Sequence, residues 1–247
     1  MHSKRRGFCG VFTLAVSLAM LGCGSDGNSF VRAVNASQGL SSFTIQVGQT
    51  GIAAGLPFGT EGVQQLGQYT TVDTTGNYRP VGAGANQPLS IYSTPGTNLN
   101  STKQTFLKQT GYTIVTLSPA PAVEFQTLTD DNAAPSGGSY KLRVMDTSTA
   151  AGGVDVYITA AGGGISGSSV AANMQFQQVT TPYLQLAPGT LEVQVTPHGS
   201  NSVLASKAFS PAAGKIYSVF FLDPPVHGGS NYGVLIVNDP VGKLVTK

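Results

Sequence analysis

Charged residues are scarce in this chain of 247 residues, where Asp, Glu, Lys and Arg make up only 10%, against roughly a quarter in an ordinary soluble domain. So few charges argue against a nucleic-acid-binding protein, which neutralises phosphates with clustered lysines and arginines. Tryptophan, the strongest aromatic anchor for a glycan or a protein partner, is absent. The 32 glycines and 14 prolines stay below the roughly 25–30% that is typical of low-complexity chains. We therefore predict a folded, turn-rich protein.

Long apolar runs are also rare. The main one, residues 7–21, follows Lys4, Arg5 and Arg6 and is shorter than the ~20 residues of a bilayer-spanning helix. A basic segment followed by a short apolar one is typical of a secretory signal peptide. We predict that residues 1–22 are a signal peptide and that the mature chain has no transmembrane helix.

The end of this segment, Met20-Leu21-Gly22-Cys23, resembles the lipobox of bacterial lipoproteins. The resemblance implies that Cys23 becomes an acylated, palmitate-bearing N-terminus, followed by a small, polar, flexible tether over residues 23–29. Gly24 is compatible with outer-membrane sorting, so the predicted location is the cell envelope, lipid-anchored, at the outer membrane if the cell is Gram-negative. A plain secretory peptide with an incidental cysteine is the alternative.

Loss of residues 1–22 changes the charge and the cysteine content. Three of the 13 basic residues leave and all 11 acidic ones remain, so the mature net charge is −1. A basic patch for nucleic acid or anionic lipid is therefore not expected. Cys9 leaves as well, and Cys23 carries lipid, so no internal disulfide can form in the mature monomer.

The rest of the chain contains an internal repeat of about 110 residues. Its aligned pairs include Arg32 with Arg143, Ser37 with Ser148, and Tyr112 with Tyr217. A Pro-, Gly- and Ser-rich stretch, residues 132–138, separates the copies. We predict one domain over residues 30–138, a second over 139–241, and a C-terminal tail over 242–247.

Apolar residues alternate with polar ones in several segments of each copy, as in Leu191, Val193 and Val195. This period of two indicates half-buried β-strands. Residues 112–117 and 216–222 are more continuously apolar, which is typical of central strands. Because turn signals recur and no helical period is sustained, the predicted fold is all-β, with two tandem immunoglobulin-like antiparallel β-sandwich domains.

Several of these segments resemble the bacterial domain-of-unknown-function 4397 family (DUF4397), and the resemblance covers nearly all of the mature chain as two copies. The segments are Arg-Ala-Val-Asn-Ala-Ser at 32–37, Leu-Thr-Asp-Asp-Asn at 128–132, Val-Asp-Val-Tyr at 154–157 and Ala-Pro-Gly at 187–189. The family's first strand often reads Arg-Val-x-His-Ala-Ser-Pro, but Asn35 and Asp146 stand where that His would be. The resemblance implies an envelope or surface β-sandwich protein and brings no activity.

Catalytic residues are few. A Ser or Cys nucleophile needs a His base, and only His198 and His227 remain after processing, both in predicted turns. His227-Gly228-Gly229-Ser230 resembles an oxyanion-hole loop of esterases but has no nucleophile elbow. Two His about thirty residues apart are too few ligands for zinc. We predict no catalytic residue, no cofactor and no enzymatic activity.

Two further motifs have weak functional interpretations. The run from Gly162 to Gly167 fits Gly-x-Gly-x-x-Gly, but no predicted helix follows to bind a pyrophosphate, so a flexible loop is expected. Asp130, Asp131 and Asp239 close the two copies and are weak Ca²⁺ candidates. Their two or three oxygens fall short of the six to eight that Ca²⁺ takes, and strand-ending turn residues are the alternative.

The sequence thus predicts a non-catalytic binding or adhesion module, held to the membrane through Cys23. Loops at the sandwich ends or a sheet edge would contact a glycan or an envelope protein, and no nucleic acid. A structural envelope component without a discrete ligand is the alternative, and a hydrolase is less favoured.

Overall fold

A computed structural model describes residues 27–40, 43–62, 78–93, 96–118 and 122–244. The regular secondary structure of this part is all β, in 17 strands. Among these residues no helix has the length and apolar character needed to cross a membrane. The predicted signal peptide and Cys23 lie outside the described residues.

Domain 1 is a sandwich of two sheets. Its strands are β1 (Asn28–Asn35), β2 (Phe43–Val47), β3 (Thr50–Ala53), β4 (Thr60–Gly62), β5 (Arg79–Gly82), β6 (Gly84–Ser93), β7 (Asn98–Phe106), β8 (Gly111–Leu117) and β9 (Glu124–Thr129). One sheet has the order β4-β1-β8-β9, with β5 also paired to β1, and the other has the order β3-β2-β6-β7.

Domain 2 repeats this architecture. Its strands are β10 (Tyr140–Asp146), β11 (Val154–Ala160), β12 (Ala171–Met174), β13 (Leu184–Leu186), β14 (Leu191–Pro197), β15 (Ala205–Phe209), β16 (Ile216–Leu222) and β17 (Gly233–Asp239). The sheet orders are β13-β10-β16-β17 and β12-β11-β14-β15. The all-β sandwich fold predicted from the sequence is confirmed.

Each sandwich contains one parallel strand pair among antiparallel ones. β1 runs parallel to β8, with Val31 beside Tyr112, and β10 runs parallel to β16, with Leu142 beside Tyr217. The chain visits the second sheet between the two strands of each pair, and this long connection permits the parallel direction. The paired tyrosines occupy equivalent places in the two domains, as the repeat predicts.

Residues on either side of the two predicted domains also take part in the fold. β1 begins at Asn28, inside the predicted tether, and Ser29 is buried, with its hydroxyl donating to the Leu107 carbonyl at 2.6 Å. Leu244, in the predicted tail, is also buried and packs with Phe30 and Tyr78 of domain 1. Both ends of the predicted two-domain unit therefore contribute to the folded body.

Each domain has its own apolar core between its sheets. In domain 1 the core includes Phe43, Ile45 and Ile91, and in domain 2 it includes Val156 and Val193. The alternation of β2, with buried Phe43 and Ile45 separated by a half-buried residue, follows from a strand that buries one face only.

A third apolar cluster joins the two domains, and we call it the interdomain cluster. Domain 1 contributes Val34, Ala36, Val115, Leu117 and Leu128, and domain 2 contributes Met145, Phe220, Leu222 and Val237. Strands β8 and β10 are buried at every residue because one face packs on the domain's own core and the other on the partner domain. β8 and β16 each contribute residues both to a domain core and to the interdomain cluster, which explains why residues 112–117 and 216–222 are nearly continuously apolar.

Candidate functional site

Two buried arginines connect the domains through reciprocal ion pairs. Arg32 in β1 places its Nη2 2.5 Å from Oδ1 of Asp239 at the end of β17. Arg143 in β10 places its Nη2 2.7 Å from Oδ1 of Asp130, which follows β9. Each arginine therefore leaves the first strand of one domain and pairs with the closing aspartate of the other.

Hydroxyl groups complete these pairs in the same symmetric way. Arg32 Nε donates to Thr113 Oγ1 at 2.8 Å, and that hydroxyl donates to Asp130 at 2.9 Å. Ser218 has the equivalent place in domain 2: it accepts from Arg143 Nε at 3.1 Å and donates to Asp239 at 2.7 Å. The buried carboxylates thus accept hydrogen bonds as well as ion pairs, which offsets their loss of hydration.

One tyrosine packs against each arginine. The guanidinium carbon of Arg32 lies 5.0 Å from the ring centre of Tyr78, and that of Arg143 lies 5.0 Å from the ring centre of Tyr183. Tyr78 donates its hydroxyl to Asp130, and the Tyr183 hydroxyl lies 3.4 Å from Asp239. The interdomain network consists of these four pairs of equivalent residues: Arg32 and Arg143, Asp130 and Asp239, Thr113 and Ser218, and Tyr78 and Tyr183.

The electrostatics of this network keep the arginines charged. Burial opposes the positive charge of Arg32, but Asp239, Tyr78, Asp130 and Glu61 together outweigh it and hold the Arg32 pKa above its ordinary value. Arg143 follows the same balance, with Asp130 as the main carboxylate. Burial raises the pKa of Tyr78, so the phenol stays a neutral donor. The network is suited to fixing the two domains relative to each other.

The calcium candidates of the sequence occupy this network or lie beside it. Asp130 and Asp239 neutralise buried arginines, and Asp131 binds Lys141 Nζ at 2.6 Å. Within the described ranges, no group of three or more His, Cys, Asp or Glu residues is arranged to hold a metal ion. The carboxylates that sequence reasoning offered to Ca²⁺ therefore serve as ion-pair partners.

The two histidines lie in different surroundings. His198 places Nδ1 2.9 Å from Oδ1 of Asp155, and its side chain is 53% exposed. Burial opposes the charge of Asp155, but hydrogen bonds from the Gly199 and Asn173 backbone amides and from His198 lower its pKa. His227 lies exposed in the loop between β16 and β17.

The glycine-rich run from Gly162 to Gly167 lies in the loop between β11 and β12.

The two positions where the family often has His differ in charge. Asn35 donates Nδ2 to the carbonyls of Leu40 and Leu56, at 3.1 and 3.0 Å. Asp146, its equivalent, accepts from the Ser148 amide at 2.9 Å through Oδ1, while Oδ2 is buried with no partner among the described residues. Burial, with a smaller contribution from the nearby Asp223, raises the pKa of Asp146 to about 7 against the opposing effect of the Ser148 hydrogen bond.

A groove of about 510 Å³ opens on domain 2, between the outer strand β12 of one sheet and the outer strand β13 of the other. It is lined by Ala171, Ala172, Met174, Gln178, Val179, Thr180, Thr181, Pro182, Tyr183 and Leu184. All of these residues belong to the continuous stretch 171–184, and sequence reasoning missed the groove because this stretch carries no motif typical of a binding site. The proximity of Tyr183 links this groove to the interdomain network.

Comparisons with known proteins give one family match. The family model described as "Domain of unknown function (DUF4397)" matches residues 29–157, just over half of the chain. The match covers domain 1 and continues into β11 of domain 2. A search of curated proteins finds no match.

Three solved structures resemble the chain at low identity. A family 41 carbohydrate-binding module from streptococcal virulence factors, solved for alpha-glucan recognition, has 11% identity and a TM-score of 0.25, over 83% of this chain and 96% of its own. A streptococcal virulence factor that binds alpha-glucan has 11% identity and a TM-score of 0.25, over 86% of this chain and 97% of its own. The multi-modular glycogen-degrading pneumococcal virulence factor SpuA has 12% identity and a TM-score of 0.26, over 88% of this chain and 22% of its own. Likeness at these TM-scores carries no argument about a ligand of this chain.

Proposed function

The chain belongs to the DUF4397 family, whose description names no activity. We propose that it is a lipid-anchored envelope protein that acts as a non-catalytic binding or adhesion module; the anchor and location are proposed from the sequence, and the binding role from the geometry. The observation that carries the proposal is the groove between β12 and β13. Concave sites with mixed polar and apolar walls are the usual places for ligands. Here the groove lies on a domain whose orientation is fixed by buried contacts.

The interdomain network supports a binding role because it makes the two sandwiches one rigid body. Reciprocal ion pairs at 2.5 and 2.7 Å and the interdomain cluster oppose rotation of one sandwich against the other. A preorganised surface loses less conformational entropy when a ligand binds. The two domains are therefore suited to presenting one fixed surface.

Domain 2 is proposed to be a second copy of the family domain. Its sheet orders, its parallel strand pair and its Arg, Asp and Tyr positions all repeat those of domain 1. The internal repeat seen in the sequence agrees with this correspondence.

The membrane anchor is proposed from the sequence around Cys23. Acylation of this cysteine would attach domain 1 to the bilayer through the short polar segment that precedes β1. A lipid anchor would hold the groove at the envelope surface, where glycans and envelope proteins are abundant.

Protease shaving of intact cells tests the location and the anchor together. Cells expressing the full-length chain are compared with permeabilised cells and with a Cys23→Ala variant. We expect the wild type to fractionate with membranes and to be cleaved on intact cells, and the variant to be released. Cleavage only after permeabilisation would place the protein inside the envelope, and membrane retention of Cys23→Ala would contradict the anchor.

Capture of envelope material tests the binding role itself. Full-length protein bearing Ala172→Trp in the groove is compared with wild type for retention of envelope fractions. We expect the variant to retain less. Equal retention by both, or no retention by either, contradicts a binding function for the groove and leaves the structural alternative.

A further inference from the structure

We propose that the groove between β12 and β13 binds a neutral oligosaccharide. This inference rests on the proposed binding function and deepens it by naming the chemical class of the ligand. Three properties of the groove carry it: its charge, its chemical groups and its organisation.

The charge of the groove favours a neutral ligand. None of its lining residues, as the structure describes them, is an Asp, Glu, Lys or Arg. A phosphorylated, sulfated or carboxylated ligand would lose hydration on entering without gaining an opposite charge. An uncharged ligand meets no such penalty.

The chemical groups of the groove match the two kinds of surface on a sugar ring. Gln178, Thr180 and Thr181 bring amide and hydroxyl groups, which can both donate and accept hydrogen bonds. Neighbouring sugar hydroxyls require this combination. Pro182, which is exposed, and Leu184, which is half-buried, bring apolar surface for the C–H faces of the ring.

Asn173 in β12 and Gln175 just after it carry polar side chains next in sequence to groove-lining residues, and we call these two residues the amide shelf. The side-chain Nε2 of Gln175 donates to Asn173 Oδ1 at 2.8 Å, and the backbone N–H of Gln175 donates to Gln178 Oε1 at 2.8 Å. Both shelf residues are exposed. The shelf therefore extends the hydrogen-bonding surface from the groove toward solvent, as a chain of several sugar units requires.

Contacts beneath the shelf hold it in place. Asp155 accepts the Asn173 amide at 2.7 Å and also contacts His198. Asn173 and Gln177 have φ angles of 49° and 69°, a left-handed conformation that is uncommon outside glycine. A fixed array of amides loses little side-chain entropy when it binds hydroxyls.

An extended peptide is the competing occupant, since β12 and β13 are both outer strands. β13 has only three residues, and the register of β12 against β11 shifts between Val154 and Val156. Short and irregular edges provide few main-chain hydrogen bonds for an added strand. The structure therefore favours recognition by side chains, which suits a sugar.

Isothermal titration calorimetry on the full-length chain tests the proposal, in a detergent without a sugar headgroup. The probes are maltohexaose, cellohexaose, xylohexaose and chitohexaose, with hexagalacturonate as the anionic control. Ala172→Trp fills the groove from β12. Ala208→Trp places the same side chain at an exposed position of β15, the opposite edge of the same sheet, and is the matched control.

We expect at least one neutral hexasaccharide to bind wild type more tightly than hexagalacturonate. Ala172→Trp should raise its Kd at least about tenfold and Ala208→Trp less than about twofold, with unchanged circular dichroism spectra. The proposal is overturned if no neutral probe binds, if the anionic probe binds best, or if both variants act alike. Retention of an envelope protein that Ala172→Trp abolishes, without sugar binding, would overturn the carbohydrate ligand but leave the binding module standing.

Discussion

Arg32 of domain 1 and Asp239 of domain 2 form a buried ion pair at 2.5 Å, although 207 positions separate them in the chain. Arg143 and Asp130 form the equivalent pair at 2.7 Å in the opposite sense. The two domains thus exchange the same contact, and each buried charge depends on a residue of the other domain.

Replacement of Arg32 by Met should lower the free energy of unfolding by about 3–5 kcal/mol, because it leaves the carboxylate of Asp239 buried without its cation. Urea denaturation followed by circular dichroism measures this loss. Adding Asp239→Leu to Arg32→Met should recover much of it, since the fully buried carboxylate is then gone and Glu61, the other carboxylate paired with Arg32, is partly exposed.

Lys141→Met is the matched control for this prediction. Lys141 pairs with Asp131 at 2.6 Å, but the Asp131 side chain is 42% exposed, so water can replace the lost cation. The expected change is below about 1 kcal/mol. Equal losses in Arg32→Met and Lys141→Met would show that burial does not govern these pairs.

The interdomain cluster predicts coupled unfolding of the two domains. Phe220 and Phe221 are adjacent and fully buried in β16, but Phe220 packs in the interdomain cluster and Phe221 in the core of domain 2. Phe220→Ala should weaken the contact between domains and resolve two transitions in scanning calorimetry, where wild type is expected to show one. The loss expected for removing a buried Phe is about 3–5 kcal/mol.

Phe221→Ala is the comparison for this experiment, because it removes the same volume from the opposite face of the same strand. It should destabilise domain 2 while leaving the surface of contact with domain 1 intact. If the two variants give the same calorimetric profile, the interdomain cluster is not what couples the domains.

The strands and the all-β sandwich fold could be predicted from the sequence because both depend on local patterns. The apolar runs at 112–117 and 216–222 nearly coincide with β8 and β16. The repeat at about 110 residues predicts that the second half copies the first. Alternation of polar and apolar residues is a property of neighbours in the chain, and it needs no knowledge of distant contacts.

The interdomain network could not be predicted in the same way because it joins distant residues. Arg32 and Arg143 served only as markers of the repeat, and Asp130 and Asp239 were weak metal candidates. The available signal was an arginine at the same place in an apolar strand of each copy, together with an aspartate at the C-terminal end of each copy. A buried cation requires a buried anion, but which aspartate serves which arginine depends on how the sheets face each other.

Calcium should leave the melting temperature unchanged. The carboxylate oxygens of Asp130 and Asp239 already bind arginine and hydroxyl groups, so a metal ion would have to displace buried contacts. The measurement is the melting temperature after chelation and after addition of millimolar Ca²⁺, with Mg²⁺ at equal concentration as the control. A rise of several degrees with Ca²⁺ alone would restore the aspartates as calcium ligands.

Asp146 predicts a stability that falls as pH rises. Its folded-state pKa of about 7 exceeds the ordinary value of 3.8, so between these values the folded chain holds a proton that the unfolded chain has released. The free energy of unfolding therefore decreases from about pH 4 to about pH 7 and then levels. Asp146→Asn supplies an uncharged amide, as Asn35 does in domain 1. At about pH 8 it should stabilise the protein by about 2–4 kcal/mol.

The reverse substitution, Asn35→Asp, is the matched test of this argument. Asn35 donates Nδ2 to the carbonyls of Leu40 and Leu56, and a carboxylate there would face both carbonyls without a proton to donate. It should therefore destabilise the protein most at high pH, while Asp146→Asn gains most at high pH. Urea denaturation of both variants and wild type at about pH 4 and about pH 8 separates the cases. Asp146→Asn removes only one titrating group, the carboxyl of Asp146. If the difference in free energy of unfolding between this variant and wild type is the same at both pH values, Asp146 is not the group that titrates.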